Sequence, residues 1–156
     1  LFCFMLIRTH LALTIMAILF LIDKVEAPYI FIGVALVATF VPDIDTAYSK
    51  LGHHKIFKPL QFFVRHRGFI HSFTFLFLVV LGLVLFWPVS ALPFFLGYGL
   101  HIFLDTFSVQ GIRPFYPNSK TSSGKIRTGG KAEVSLFLVF ILIDLFLAVR
   151  MFAGAV

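Results

Sequence analysis

From Phe69 to Leu104 the chain runs for 36 residues without a Lys, Arg, Asp or Glu. Drawn as one helix, that stretch would be about 54 Å long, against about 30 Å for the hydrocarbon of a bilayer. It therefore has to turn back on itself. Trp87-Pro88 and Pro93 stand where a hairpin would turn, and Trp is a residue of membrane interfaces. The stretch divides into helices of roughly 69–87 and 91–106.

Three other apolar runs frame this pair. Phe2 to Ile22 is broken only by Arg8, Thr9 and His10; Tyr29 to Val41 follows a polar turn and stops at Pro42-Asp43; Val134 to Phe152 comes last. Hydrophobic residues are 60% of the chain and charged residues 13%. Soluble domains average about 45–50% and about 25%, so this chain cannot cover a water-facing surface. Disorder is excluded by the same numbers, and a disulfide scaffold by the single Cys3. The expectation is an all-α, multi-pass membrane bundle, one integral membrane domain over 1–156. Its five spans fall at approximately 2–22, 28–41, 69–87, 91–106 and 134–152. No small-residue cleavage site follows Ile22, so the first run is read as a span and not as a cleaved signal peptide.

The net charge of +6 invites a nucleic-acid reading. In so apolar a chain it reports basic loops at an anionic membrane face instead, and no direct nucleic-acid binding is expected. Ten of the 13 Lys and Arg lie in the 42–68 and 107–132 loops. With five crossings those loops share a side with the N-terminus. The positive-inside tendency makes that side cytoplasmic and the protein a cell (inner) membrane protein.

Ionisable groups near membrane helices are costly unless paired, hydrated or bound to a cation, so each marks a candidate site. Here they converge. His10 is near the cytoplasmic end of the first span, and Asp43 and Asp45 follow the second. His66 and His71 open the third, and His101 with Asp105 end the fourth. His101 and Asp105 are i and i+4 on one helix face, a spacing suited to joint ligation. Asp43 and Asp45 are two apart and share a face if the chain after Pro42 is extended or in a turn. Gly68 permits a bend between His66 and His71. Imidazoles and carboxylates together suit Zn²⁺, Mn²⁺ or Fe²⁺ better than copper or an iron–sulfur cluster. Arg65 and Arg67 flank His66, where guanidinium groups would bind a phosphate or simply anchor to the membrane. Glu133 begins the last span and either ligates or complements the helix dipole. Asp144 lies mid-span, as an interhelical partner or a protonated acid. His53 and His54 read as interfacial residues.

Taken in order, Thr9-His10, Pro42-Asp43-Ile44-Asp45, Arg65-His66-Arg67-Gly68 with His71-Ser72, and Gly97-Tyr98-Gly99-Leu100-His101-Ile102-Phe103-Leu104-Asp105, followed by Gly111 and Tyr116-Pro117, resemble the YdjM-like membrane-bound metal-dependent hydrolases. That family looks like a remote membrane relative of zinc-dependent phospholipase C and the S1/P1-type nucleases, which also use an HxxxD pair. The resemblance implies His10, Asp43 or Asp45, His66, His71, His101 and Asp105 as metal ligands, and Glu133 as a matching acid. The second helical His/acid pair of the soluble relatives is missing, which argues against three ions.

The resulting expectation is a metal-dependent hydrolase of a lipid-like phosphoester, working at the cytoplasmic face with one or two cations. Zinc is the first choice. Asp43 or Asp45 would act as general base, and Arg65, Arg67 or Lys120 would hold the substrate phosphate; membrane lipids are its other partners. The alternative is a non-enzymatic metal or proton transporter, or a membrane adaptor with a structural metal.

Overall fold

The computed structural model describes residues 6–45 and 68–154. Among them are five α-helices and no strand: α1 (Ile7–Leu21), α2 (Pro28–Phe40), α3 (Phe73–Phe86), α4 (Pro88–Thr106) and α5 (Lys131–Ala153). Short 3₁₀ turns, Ile22–Lys24 and Pro42–Asp45, prolong α1 and α2. Two helices, α4 and α5, are long and apolar enough to cross a membrane; α2 and α3 are apolar but shorter.

The hairpin between α3 and α4 is tighter than the sequence led us to expect. Trp87 alone separates the helices, and α4 starts at Pro88 instead of near residue 91. Pro88 has the first helical position, where its missing N–H would have no partner in any case. Pro93 therefore falls inside α4 and not in the turn. At the other end of α3, Ser72 is the N-cap. Its hydroxyl accepts from the Phe75 amide at 3.2 Å, which moves the helix start from 69 to Phe73.

Leu6 and Thr9 at the start of α1 meet Glu133 at the start of α5, while Phe20 and Arg150 share a cleft at their far ends, so the two helices run parallel. Helix α1 separates α5 from the α2–α4 pair. One apolar cluster, Leu13 and Leu104 with Leu136 and Phe140 around them, joins α1, α4 and α5. A second, Ile18, Phe31 and Ala35, seals α1 to α2. A third, Ala38, Leu76, Tyr98 and Ile102, joins α2, α3 and α4.

Helices α2 and α4 touch backbone to backbone. A Cβ built on Gly97 would stand 2.0 Å from the Ala35 carbonyl oxygen, so only glycine allows this approach. In lipid there is no hydrophobic drive between helices, and small residues that admit close packing hold them instead. After α4, residues 107–130 form an ordered loop. Its crossings are Val109 N–H to Ile126 C=O at 3.0 Å and paired Ile112–Ser122 bonds at 2.9 and 2.8 Å. Gly111 takes a left-handed conformation there (φ 63°), a region closed to most side chains.

Gly97→Ala is expected to force α2 and α4 apart and to cost about 1–3 kcal/mol by overpacking. Gly33→Ala and Gly82→Ala, where an added Cβ meets nothing within 4 Å, should be neutral or stabilising by about 0.5–1 kcal/mol. Thermal unfolding of the three variants in detergent checks this; equal midpoints would refute the close-packing account.

Candidate metal centre

Four helical segments deliver side chains to one end of the bundle. His10 comes from the second turn of α1, Asp43 from the 3₁₀ turn after α2, and His71 from just before the Ser72 cap. His101 and Asp105 come from the last turns of α4. His10, His71, His101 and Asp105 are all buried, with relative exposures of 1–3%.

The i, i+4 spacing of His101 and Asp105 makes them neighbours, with Nε2 3.9 Å from Oδ2. His71 Nε2 lies 3.2 Å from the same Asp105 oxygen, and His10 Nε2 lies 3.6 Å from its other oxygen. The His10 ring stacks on the His101 ring at a centroid distance of 4.0 Å and 13° between planes. Asp43 Oδ1 stands 3.7 Å from His101 Nε2.

Two sets of donor atoms result, His10–His101–Asp105 and Asp43–His71–His101, each with its atoms within 4.8 Å of one another. His101 belongs to both. Its other nitrogen fixes its role. Nδ1 is 2.7 Å from the Thr39 carbonyl oxygen, which can only accept, so Nδ1 carries the proton. In the neutral ring the lone pair is then on Nε2, aimed at the carboxylates. Both requirements of a ligand histidine, a fixed tautomer and a fixed ring plane, come from one bond.

The chemistry of this set fits a divalent cation. With neutral imidazoles, Asp43 and Asp105 bring two negative charges to a largely buried place. Uncompensated buried charge costs several kcal/mol, and a divalent ion balances it. Three imidazoles and two carboxylates are groups that could hold a metal ion.

The sequence-expected residues divide into four groups. His10, Asp43, His71, His101 and Asp105 are brought together. His66, Arg65 and Arg67 lie outside the described residues, as do His53 and His54. For Asp45 only the backbone is described, and it corrects an expectation. The chain after Pro42 takes the turn form, a 3₁₀ turn, and positions two apart in a turn of this kind stand about 120° apart around its axis and do not share a face. Lys120 is exposed on the 107–130 loop.

Glu133 is fully buried and committed elsewhere. Its Oε1 accepts from Leu6 N–H at 2.6 Å and Thr9 Oγ1 at 3.1 Å, and its Oε2 from Gly129 N–H at 2.5 Å. It clamps the starts of α1 and α5 together, one turn from His10. Asp144 is buried in α5, and neither oxygen has a hydrogen-bond partner among the described residues.

Three supporting roles escaped the sequence reading. Thr39 presents the carbonyl that orients His101. Its hydroxyl donates to Ala35 C=O at 2.9 Å, which leaves Thr14 to donate to Thr39 Oγ1, also 2.9 Å away. Tyr98 is fully buried and its hydroxyl donates to the Ile70 carbonyl, beside His71. Ser72 caps α3 directly after His71. Of these only Ser72, placed just before an apolar run, carried a readable signal.

Residues 5–155 match the model of the family described as YdjM inner membrane protein. No curated protein and no solved structure matches the chain.

Purified protein should contain at least one divalent transition-metal ion per chain, lost in His101→Ala/Asp105→Ala and measured by elemental analysis. Protein never exposed to chelator yet free of metal would overturn the assignment. Glu133→Gln should lower the melting temperature, since charge-assisted bonds are worth about 1.5–3 kcal/mol, yet retain the metal. Loss of metal in folded Glu133→Gln would make Glu133 a ligand.

Proposed function

Because the chain belongs to the YdjM inner membrane protein family, we propose that it is a membrane-embedded, metal-dependent hydrolase of a phosphoester at the cytoplasmic face. The observation that carries this reading is the convergence of two possible donor sets on His101, whose tautomer is set by the Thr39 carbonyl. The His101/Asp105 spacing is also what it would share with zinc-dependent phospholipase C and the S1/P1-type nucleases.

His10, His71, His101, Asp43 and Asp105 would hold the cation, which supplies a bound water of pKa near about 7 and polarises a phosphoryl oxygen. The remaining work falls to the chain. Asp43 is only partly buried, at the open side of the cluster. Asp45 follows in the same turn, and its carboxylate takes the proton released as water oxygen bonds to phosphorus and the P–O ester bond breaks. Arg65 and Arg67, in the segment leading to His71, pair with the substrate's phosphate oxygens through bidentate hydrogen bonds. A site at the end of the bundle and not at its middle favours a headgroup-depth substrate such as a lipid phosphoester.

The same reading makes all five helices crossings. Helices α1, α3 and α5 start at the metal end and α2 and α4 finish there, which puts the basic loops on that side. The 3₁₀ turns lengthen α1 and α2, and helices still shorter than the bilayer are accommodated by local thinning. Cysteine labelling tests the topology in a Cys3→Ser background. Cysteines at Ser49 and at the exposed Phe86 should react from opposite sides; Ser90 is unsuitable because it is buried and bonded to the Trp87 carbonyl. Reaction from one side would end the five-span reading.

Asn substitutions separate ligand from base. Asp43→Asn should lose metal, because Asp43 faces His101. Asp45→Asn should keep metal and lose about 10²–10⁴-fold in phosphoesterase rate, as for a missing general base. If both variants keep metal and full hydrolysis of a lipid phosphoester, the mechanism is wrong.

A metal or proton transporter is the second reading, and the buried Asp144 carboxylate, without a hydrogen-bond partner among the described residues, favours it. Asp144→Asn distinguishes the two: a relay fails without that carboxylate, whereas hydrolysis at the far end of α5 continues.

A further inference from the structure

At the end of the bundle opposite the metal centre, α1 and α5 leave a cleft of about 670 Å³ between them. Its walls are apolar, with Leu19 and Phe20 from α1 and Leu147 and Met151 from α5. Its polar lining is Asp23, Lys24 and Arg150, an excess of one positive charge. Lys24 does not hang loose in solvent; its ammonium stands over the Phe20 ring at 4.8 Å from the centroid. Among the described residues neither Lys24 nor Arg150 is in a salt bridge with Asp23.

These features have a depth as well as a chemistry. Asp23 and Lys24 form the polar turn that ends α1, and Arg150 is in the last turn of α5. In an inner membrane protein, helix ends of this kind sit at the headgroup layer, with the apolar walls reaching below it. A cleft lined by two cationic groups, one carboxylate and four apolar side chains at that depth matches one class of molecule, an anionic amphiphile. Basic recesses between membrane helices select lipid headgroups in this way. Simple interfacial anchoring needs charged side chains but no cavity.

We propose that the cleft holds the headgroup of one anionic membrane phospholipid, its phosphate against Lys24 and Arg150 and its first acyl segment on Leu19, Leu147 and Met151. The site is independent of the metal centre, so the protein would keep this lipid whatever reaction it catalyses.

Native mass spectrometry of the full chain in detergent, titrated with phosphatidylglycerol or phosphatidylcholine, tests the proposal. One phosphatidylglycerol should bind more tightly than any phosphatidylcholine. Lys24→Gln/Arg150→Gln should weaken it about 10- to 30-fold while leaving phosphatidylcholine binding unchanged. Should the double variant not fold, the wild type still decides, because raising salt should weaken phosphatidylglycerol selectively. Equal binding of both lipids, a folded variant as tight as wild type, or no salt effect would overturn the proposal. So would displacement of the lipid by soluble glycerol 3-phosphate at like concentration, which would mark a free-phosphate site.

Discussion

The bond from His101 Nδ1–H to the Thr39 carbonyl, 2.7 Å long, is the constraint on which the rest of the site depends. It requires α2 and α4 to be close at that level, and Gly97 against Ala35 brings them close one turn deeper. Both contacts are four residues from the next: Gly97 to His101 on α4, Ala35 to Thr39 on α2. One face of each helix thus carries the packing contact and the ligand-orienting contact in succession. A side chain at Gly97 would not merely crowd the bundle. It would withdraw the acceptor that decides which His101 nitrogen faces the carboxylates.

The same economy recurs at the other helix ends near the cluster. Helix termini leave backbone groups without internal partners, and away from water these must be met by side chains or loops. Thr39 C=O belongs to the last turn of α2, and a ligand histidine satisfies it. The Leu6 amide precedes α1, and Glu133 satisfies it, which fixes the helix that carries His10. Ser72 caps α3 directly after His71, and Phe73 N–H donates to Pro114 C=O at 2.8 Å. Ser108 donates to the Asp105 carbonyl at 2.8 Å and so closes α4 beneath its ligand. Capping and ligand placement are one set of interactions here.

Much of this was legible in the residue order. Apolar runs gave the helices, and the alternation of chain direction gave the gathering of His10, Asp43, His71, His101 and Asp105, because each lies at the appropriate end of its run. What could not be read depended on distance between elements. Glu133 looks alike in sequence whether it ligates or clamps; only the position of Leu6 and Thr9 settles it among the described residues. Thr39 acts through its backbone, which no side-chain pattern encodes. Pro93 reads as a helix breaker, yet the turn closed earlier at Trp87 because Pro88 is well placed at a first helical position.

The location of the cluster at one end of the bundle explains the irregular backbone around it. Deep in a bilayer, non-helical chain is tolerated only when buried in protein or facing a water-filled cavity. The 3₁₀ turn at Pro42–Asp45 and the 107–130 loop both adjoin the ligands, and both would be prohibitive at the middle of a membrane. At an interface, where the proposed topology puts them, they would have water for their outer faces and the helices carrying the His/Asp cluster for their inner ones. That trade also accounts for helix length. α2 stops at Phe40 and α3 starts only at Phe73 because the neighbouring residues are used in turns that aim Asp43 and His71. Among the described residues α5 gives no side chain to the cluster, and it runs on for 23 residues. Chain that could have lengthened the apolar helices is instead shaped into the turns that carry Asp43 and His71.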